Sequence, residues 1–365
     1  AVSIVAAETG AVSATGFRKG FLNPPDSVRP GVYWYFMDGN LSREAMTADL
    51  ASMKAAGIGN VIFLEVNVGI PRGPVDFLSD EWQKLFVHAV REAERLGIAI
   101  TLGVGPGWTG SGGPWVKPEQ SMRHLVASAT EVKGPVAFKA KLPVPQPRRP
   151  FFGEEGMTDA LTRLRESYYE DAFVLAFPTP SGKGMVADSD EKALYYRAPY
   201  TSQPGVKQYL PAPAGFPDAP AGSVVAEKTI IDLTSKMKPD GTLAWDAPAG
   251  EWTVMRFGVR NNGAITRPAP FPGLGLESDK FSEADFDSHF NEYIGKLIAK
   301  TGPRKNGSGA GWTMLHMDSW EMGAQNWTKG FREEFRRRRG YDPLPYFPAY
   351  TGRIVGSIED RKSVV

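Results

Sequence analysis

The sequence predicts an α/β fold: a parallel sheet with crossover helices, interrupted by a β-rich, sandwich-like insertion. Three observations predict it. Apolar runs of strand length alternate with helical periodicity between Val32 and Leu102. That periodicity fades between Pro118 and Pro272, where Pro-rich stretches separate short apolar runs. Strand and helix then alternate again from Phe286 to Gly340.

Val32-Tyr33-Trp34-Tyr35-Phe36 is the first strand, and Asp38-Gly39-Asn40 its turn. Ser42 is placed to cap a helix that buries Met46, Leu50 and Met53 and stops at Gly57. Val61 to Leu64 is a buried strand with Glu65 after it. A helix presents Trp82, Leu85, Phe86, Ala89, Val90, Ala93 and Leu96 on one face and ends at Gly97, before a strand from Ile98 to Leu102. These strands are apolar on both faces, as buried parallel strands are. The pattern by itself fits a barrel and an open doubly wound sheet equally.

Within residues 118–272, strands are predicted at Ala172 to Phe177, Thr229 to Leu233 and Trp252 to Phe257, with Pro143 to Pro150 and Pro211 to Pro220 between them. This region reads as a small sandwich, or as excursions over a sheet's mouth. Phe286, Phe290, Ile294 and Leu297 then restore helical spacing. Trp312 to Met317 is a strand ending in Asp318, and a helix from Thr328 to Arg339 closes at Gly340. The implied divisions are a tail over 1–16, sheet and helix units over 17–117, the insertion over 118–272, further units over 273–355, and an end segment over 356–365.

A formal net charge of +1 points away from nucleic acid and from anionic membrane surfaces as partners. The basic run Arg336 to Arg339 reads as a solvated helix end. No run of about 18 apolar residues is present, so no helical membrane span is expected. The chain has no cysteine, which excludes disulfides, zinc fingers and thiol catalysis. It begins with Ala, and Ala1 to Gly16 is small and apolar, like the remnant of an export signal. The expected location is therefore periplasmic or secreted.

Reactive groups of parallel α/β proteins gather at the C-terminal ends of the strands. Four such ends carry Asp38, Glu65, the segment Gly105 to Trp115, and Asp318 to Glu321. In His316-Met317-Asp318-Ser319-Trp320-Glu321, two carboxylates stand three residues apart with Trp320 between them. Glycoside hydrolysis requires one carboxylic acid to protonate the leaving oxygen and a second carboxylate for the other half-reaction. An apolar aromatic neighbour favours the protonated form of such an acid. The competing readings are a loop of caps and salt bridges, or a metal site built from His316, Asp318 and Glu321. Calcium suits that inventory better than zinc.

Gly105, Gly107 and Gly110 match a dinucleotide fingerprint in spacing, but Gly112-Gly113-Pro114 follows where a helix would have to open. The segment reads instead as a loop presenting Trp108 and Trp115 to a ligand or plugging the sheet's end. Glu277 and Asp279 read as site residues or as a salt-bridged turn, with the turn favoured. Glu65, Asp38, His316 and Trp320 complete the candidate ligand contacts.

Taken in order, several blocks resemble glycoside hydrolase family 106, the α-L-rhamnosidases. They are Phe21-Leu22-Asn23-Pro24-Pro25 with Arg29-Pro30 and Tyr33-Trp34; Met53 to Gly59; Gly105-Pro106-Gly107-Trp108 with Gly112 to Val116; Gly275 to Lys280; and Asp318-Ser319-Trp320-Glu321 with Asn326-Trp327-Thr328 and Arg339 to Pro343. The resemblance implies an incomplete (β/α)8 TIM-type barrel carrying the β-rich insertion. It also implies a calcium-dependent, inverting hydrolase acting on a rhamnose-containing glycan or glycoside. It puts the catalytic acid on Glu321, makes Asp318 the neighbouring functional acid and a possible calcium ligand, and leaves the other calcium ligands unassigned. The general base is expected on a later barrel strand, past residue 365. Glu65 or Glu277 could replace it only at about 6.5–9.5 Å from Glu321. The end, Asp360 to Val365, back-translates into a common sequencing-adaptor sequence, so a truncated reading frame is expected. The alternatives are a non-catalytic carbohydrate-binding protein that depends on Trp108 or Trp115, and a metal-dependent hydrolase on a similar barrel.

Overall fold

In chain order the elements are α1 (Ala14–Leu22), β1 (Gly31–Met37), α2 (Arg43–Ala55), β2 (Asn60–Val66), α3 (Asp80–Leu96), β3 (Ala99–Gly103), β4 (Arg123–Lys141), α4 (Asp159–Ser167), β5 (Glu170–Pro178), β6 (Val224–Val225), β7 (Ile231–Asp232), β8 (Thr242–Asn261), α5 (Glu283–Phe290), α6 (Lys296–Thr301), β9 (Gly311–His316), α7 (Phe331–Arg339) and β10 (Ile354–Val355). They come from a computed structural model that describes residues 14–25, 28–150, 156–186, 189, 219–303 and 309–357. The leader-like residues 1–13, the Pro-rich stretch 211–218 and the end segment 358–365 lie outside the described residues, whereas 14–16 open α1. Among the described residues no helix is long and apolar enough to cross a membrane. The chain forms two compact units, one of 1–110, 267–273 and 291–318, the other of 111–266, 274–290 and 319–365.

The first unit holds a four-stranded parallel sheet in the order β1-β2-β3-β9. Its helices start and stop where side chains and backbone demand. The Ser42 hydroxyl accepts from Ala45 N at the start of α2, and Ser79 does the same for Trp82 N at α3. Gly97 ends α3 at φ 71°, a conformation open to glycine. Phe63 of β2 packs against Trp82 and Phe86 of α3 and against Trp34 and Phe36 of β1, and Met46 and Leu50 of α2 are fully buried. Each such side chain contributes roughly 1.5–3 kcal/mol of burial. Glu65 does not follow β2, as expected, but lies inside it, because pairing with β1 continues to Val66.

Among the described residues the second unit holds an antiparallel sheet, β4-β8-β5-β7, and a short parallel pair, β6-β10. Among the described residues the antiparallel part of the insertion is one long-stranded sheet, and strand length explains how it closes a core. β4 and β8 run 19 and 20 residues, long enough to bend over their own face. Leu243, Trp245 and Ala247 from the early half of β8 share a core with Val254, Val174 and Ala176. The opposite face packs Phe173, Phe177 and Phe257 against Leu344, Phe347 and Ala349. So residues 344–349, expected among the barrel elements, pack with this sheet.

Two local expectations also change. The strand predicted from Thr229 to Leu233 shrinks to Ile231–Asp232, because the Asp232 carboxylate accepts from Thr234 N at 2.9 Å and turns the chain. The last long helix begins at Phe331, not at Thr328, since Gly330 is left-handed at φ 76° and the Thr328 hydroxyl is bonded elsewhere. Its basic end is exposed, with Arg337 and Arg338 both paired to Glu334.

Candidate active site

In the first unit, parallel register aligns the C-terminal ends of the strands: Phe36 lies beside Glu65, and Gly103 beside His316. Asp38 and Glu65 are both buried. Asp38 accepts from Phe271 N at 2.8 Å through Oδ1 and from Asn67 Nδ2 at 3.1 Å through Oδ2. Glu65 accepts from Gly39 N at 2.8 Å through Oε1 and from the Trp82 indole N–H through Oε2. Burial pushes the Glu65 carboxyl up to about 7, against the pull of those two donors. Both acids, expected as ligand contacts, are thus committed to holding the loops at the strand ends.

Trp108 is different. Gly107 N donates to Glu65 O at 3.0 Å, Trp108 N to Arg267 O at 2.9 Å, and Arg267 N to Thr109 Oγ1 at 3.1 Å. Gly107 sits at φ 81°, and a Cβ there would meet the Arg267 carbonyl at 2.6 Å, so the tight approach requires glycine. This fixed loop leaves the Trp108 ring 37% exposed, close to the Tyr35 side chain. Tyr33 stacks on Tyr35 at 5.1 Å. The three rings form an exposed aromatic surface of the kind that accepts the apolar face of a pyranose. Sequence reasoning missed Tyr33 and Tyr35 as site residues because β1 is apolar on both faces, and only pairing shows which face stays open. His316 meets Tyr33 edge-on at 6.2 Å, and its Nε2 lies 3.6 Å from Asp318 Oδ2.

Trp115, Trp320 and Glu321 belong to the second unit. Trp115 is half-buried; its ring stacks on His289 at 5.8 Å, and its indole N–H donates to His289 Nδ1 at 3.1 Å. Gly112 N donates to the same nitrogen at 3.1 Å. The ring expected to meet a ligand is therefore held against the protein. Trp320 is 42% exposed, packs at 6.0 Å on Phe281 and reaches the Gly323 carbonyl through its indole N–H at 2.5 Å. Glu321 is half-buried between this exposed ring and the buried Met322. Among the described residues its carboxylate makes no hydrogen bond or ion pair. An acid so placed is free to meet a substrate oxygen.

The loop behind Glu321 is anchored on every side. Ala324 O accepts from His124 Nε2 at 2.7 Å and from Asn262 Nδ2 at 3.2 Å. Burial pulls the His124 pKa down to about 3, so the ring is neutral and Nε2 carries the donated proton. Asn326 Oδ1 accepts from Leu125 N at 2.8 Å. The turn expected at Glu277 and Asp279 is salt-bridged and wholly buried: Glu277 pairs with Lys280, and Asp279 with Arg123.

For a metal, the donor set is poor. Among the described residues no three His, Asp or Glu side chains converge as a metal site. The near neighbour of Asp318 is the nitrogen of His316, whereas calcium requires a shell of oxygens. No chemistry here is routed through the calcium that the resemblance implies.

Comparison with known proteins agrees with this picture. The sequence pattern of glycoside hydrolase family 106, described as alpha-L-rhamnosidase, matches residues 22–364. A protein of Formosa agariphila named "Putative beta-glucuronidase" is 35% identical over 350 residues, which cover 94% of this chain and 27% of that protein. The solved rhamnosidase from Novosphingobium sp. PP1Y superposes with a TM-score of 0.74 at 26% identity, over 95% of this chain and 43% of that one. The chain thus spans about a quarter of the curated relative and under half of the solved structure. With the family pattern running through nearly all of its length, the chain belongs to glycoside hydrolase family 106, the alpha-L-rhamnosidases.

Proposed function

We propose that the protein of which these residues form part hydrolyses terminal α-L-rhamnosides with inversion, and that Glu321 is its general acid. The observation carrying this reading is the Glu321 carboxylate, half-buried and without a partner among the described residues, beside the exposed Trp320 in a chain of the rhamnosidase family. Glu321 gives its proton to the glycosidic oxygen as the bond to the anomeric carbon breaks. The sugar passes through an oxocarbenium-like state. Water adds from the opposite face and loses a proton to a carboxylate assigned to none of the described residues. Within the first unit, Trp108, Tyr33 and Tyr35 are exposed rings suited to stacking on a sugar, and Asp318 is the neighbouring acid of the Glu321 motif.

The sheet order supports a barrel segment for the first unit. β1, β2, β3 and β9 succeed one another across the sheet in chain order. A doubly wound sheet reverses that order at a switch point, whereas a barrel keeps it.

The name of the Formosa agariphila relative favours a second substrate, a β-glucuronide. Aryl α-L-rhamnoside and aryl β-glucuronide, offered in parallel to the full-length protein, separate the two. Release from the rhamnoside with β-L-rhamnose as first product is the expected outcome. Release from the glucuronide alone overturns the substrate, and retained anomeric configuration overturns the inverting mechanism.

A further inference from the structure

The buried carboxylate of Asp279 has no part in the chemistry above, yet it is bonded to Gln325 and Thr328, beyond Glu321 in the chain, and to Phe281, on whose ring Trp320 packs. Its side chain is fully buried and accepts four hydrogen bonds. Oδ1 takes Phe281 N at 2.8 Å and the Gln325 amide. Oδ2 takes Arg123 Nη2 at 2.5 Å and the Thr328 hydroxyl at 2.7 Å. Gln325 is held a second time, since its Oε1 accepts from Lys280 N at 3.0 Å.

The connections bracket Glu321. Before it in the chain stands Trp320, whose ring rests on Phe281, the residue whose backbone N–H Asp279 accepts. Directly after it Met322 is sunk in an apolar core with Leu276 and Met122. Further on, Gln325 and Thr328 end on Asp279 itself. One buried anion therefore holds the chain after the candidate acid directly and the ring before it through Phe281, and Arg123 from β4 balances its charge. A group transferring a proton in a transition state must be held to within a fraction of an ångström, and a misplacement of about 1 Å can cost about 100-fold in rate.

We propose that Asp279 is a positioning residue for Glu321, acting through Phe281 and Trp320 on one side and through Gln325 and Thr328 on the other. The proposal rests on the reading of Glu321 as general acid. It has a readout that a merely structural role would not move. A misplaced acid slows only those substrates whose leaving group needs protonation, whereas general loosening slows all substrates alike.

The experiment compares kcat of the full-length protein on an alkyl α-L-rhamnoside, whose leaving group needs a proton, and on a dinitrophenyl α-L-rhamnoside, whose leaving group does not. Asp279→Asn is expected to lower kcat on the alkyl substrate by about 100-fold, to spare the activated substrate, and to leave KM nearly unchanged on both. Thr328→Val, which removes one donor and keeps the shape, is expected to show the same selectivity to a lesser degree, and it carries the test should Asp279→Asn not fold. Equal losses on both substrates, or no loss, overturn the proposal. Glu321→Gln in the same assay separates the two claims. If Glu321→Gln is selective and the Asp279 and Thr328 variants are not, the positioning role fails alone. If Glu321→Gln is itself unselective, the acid assignment fails.

Discussion

Arg123 Nη2 lies 2.5 Å from Asp279 Oδ2, and both side chains are almost wholly withdrawn from solvent. They stand 156 residues apart in the chain. A buried pair of this kind adds little over a well-packed apolar pair, but removing one partner strands the other charge away from water.

Arg123→Ala is accordingly expected to lower the stability of the second unit by roughly 3–5 kcal/mol. Urea unfolding of the chain followed by fluorescence measures this as a fall in midpoint. A loss below about 1 kcal/mol would mean that water or another cation reaches Asp279.

Glu65 governs a pH dependence in the first unit. Its folded value, about 7, stands above the ordinary 4.5. Between those values the folded state holds a proton that the unfolded state has lost, so stability falls as pH rises. The contribution is fully present below the ordinary value and is gone once pH has passed the folded one. The shift corresponds to roughly 3 kcal/mol. Unfolding midpoints should decline from about pH 5 to about pH 8 in the native protein and stay flatter in Glu65→Gln. A slope shared by both proteins would show that another group is responsible.

Trp108 and Trp115 should respond in opposite ways, although the sequence presents them as one pair. Trp108 is exposed on the aromatic surface, so Trp108→Ala should raise KM for a rhamnoside by roughly 10-fold, about 1.4 kcal/mol, with little change in unfolding midpoint. Trp115 is stacked on His289 and bonded to it, so Trp115→Ala should cost stability of about 2–4 kcal/mol. Rhamnoside kinetics and unfolding midpoints on both variants check the contrast. A KM effect from Trp115→Ala alone would reverse the assignment.

That contrast marks how far the sequence carries. Periodicity and caps made β1, α2, β2, α3, β3 and β9 legible, because Ser42, Gly57 and Gly97 punctuate runs whose partners are local. The four strand ends were legible for the same reason. What Trp115 touches was not, since its partner His289 is 174 residues away. The long β4 was missed because much of its outer half is solvated and charged, with no apolar run to announce it. The turn at Glu277 and Asp279 reads as salt-bridged from Glu277 and Lys280 alone. No local pattern, however, names Arg123 as the partner of Asp279, or Thr328 as the residue that leaves the start of α7 to bond it. Glu321 stood out through Asp318 and Trp320, but that its carboxylate is left open becomes visible only when the loop around it is seen to be bonded everywhere else.

The central claim is that Glu321 donates the proton to the departing oxygen. Its most direct test is kcat of Glu321→Gln in the full-length protein on an alkyl α-L-rhamnoside. A fall of about 10²–10⁴-fold is expected, with a dinitrophenyl α-L-rhamnoside largely spared. Near-normal turnover of the alkyl substrate by Glu321→Gln would contradict it.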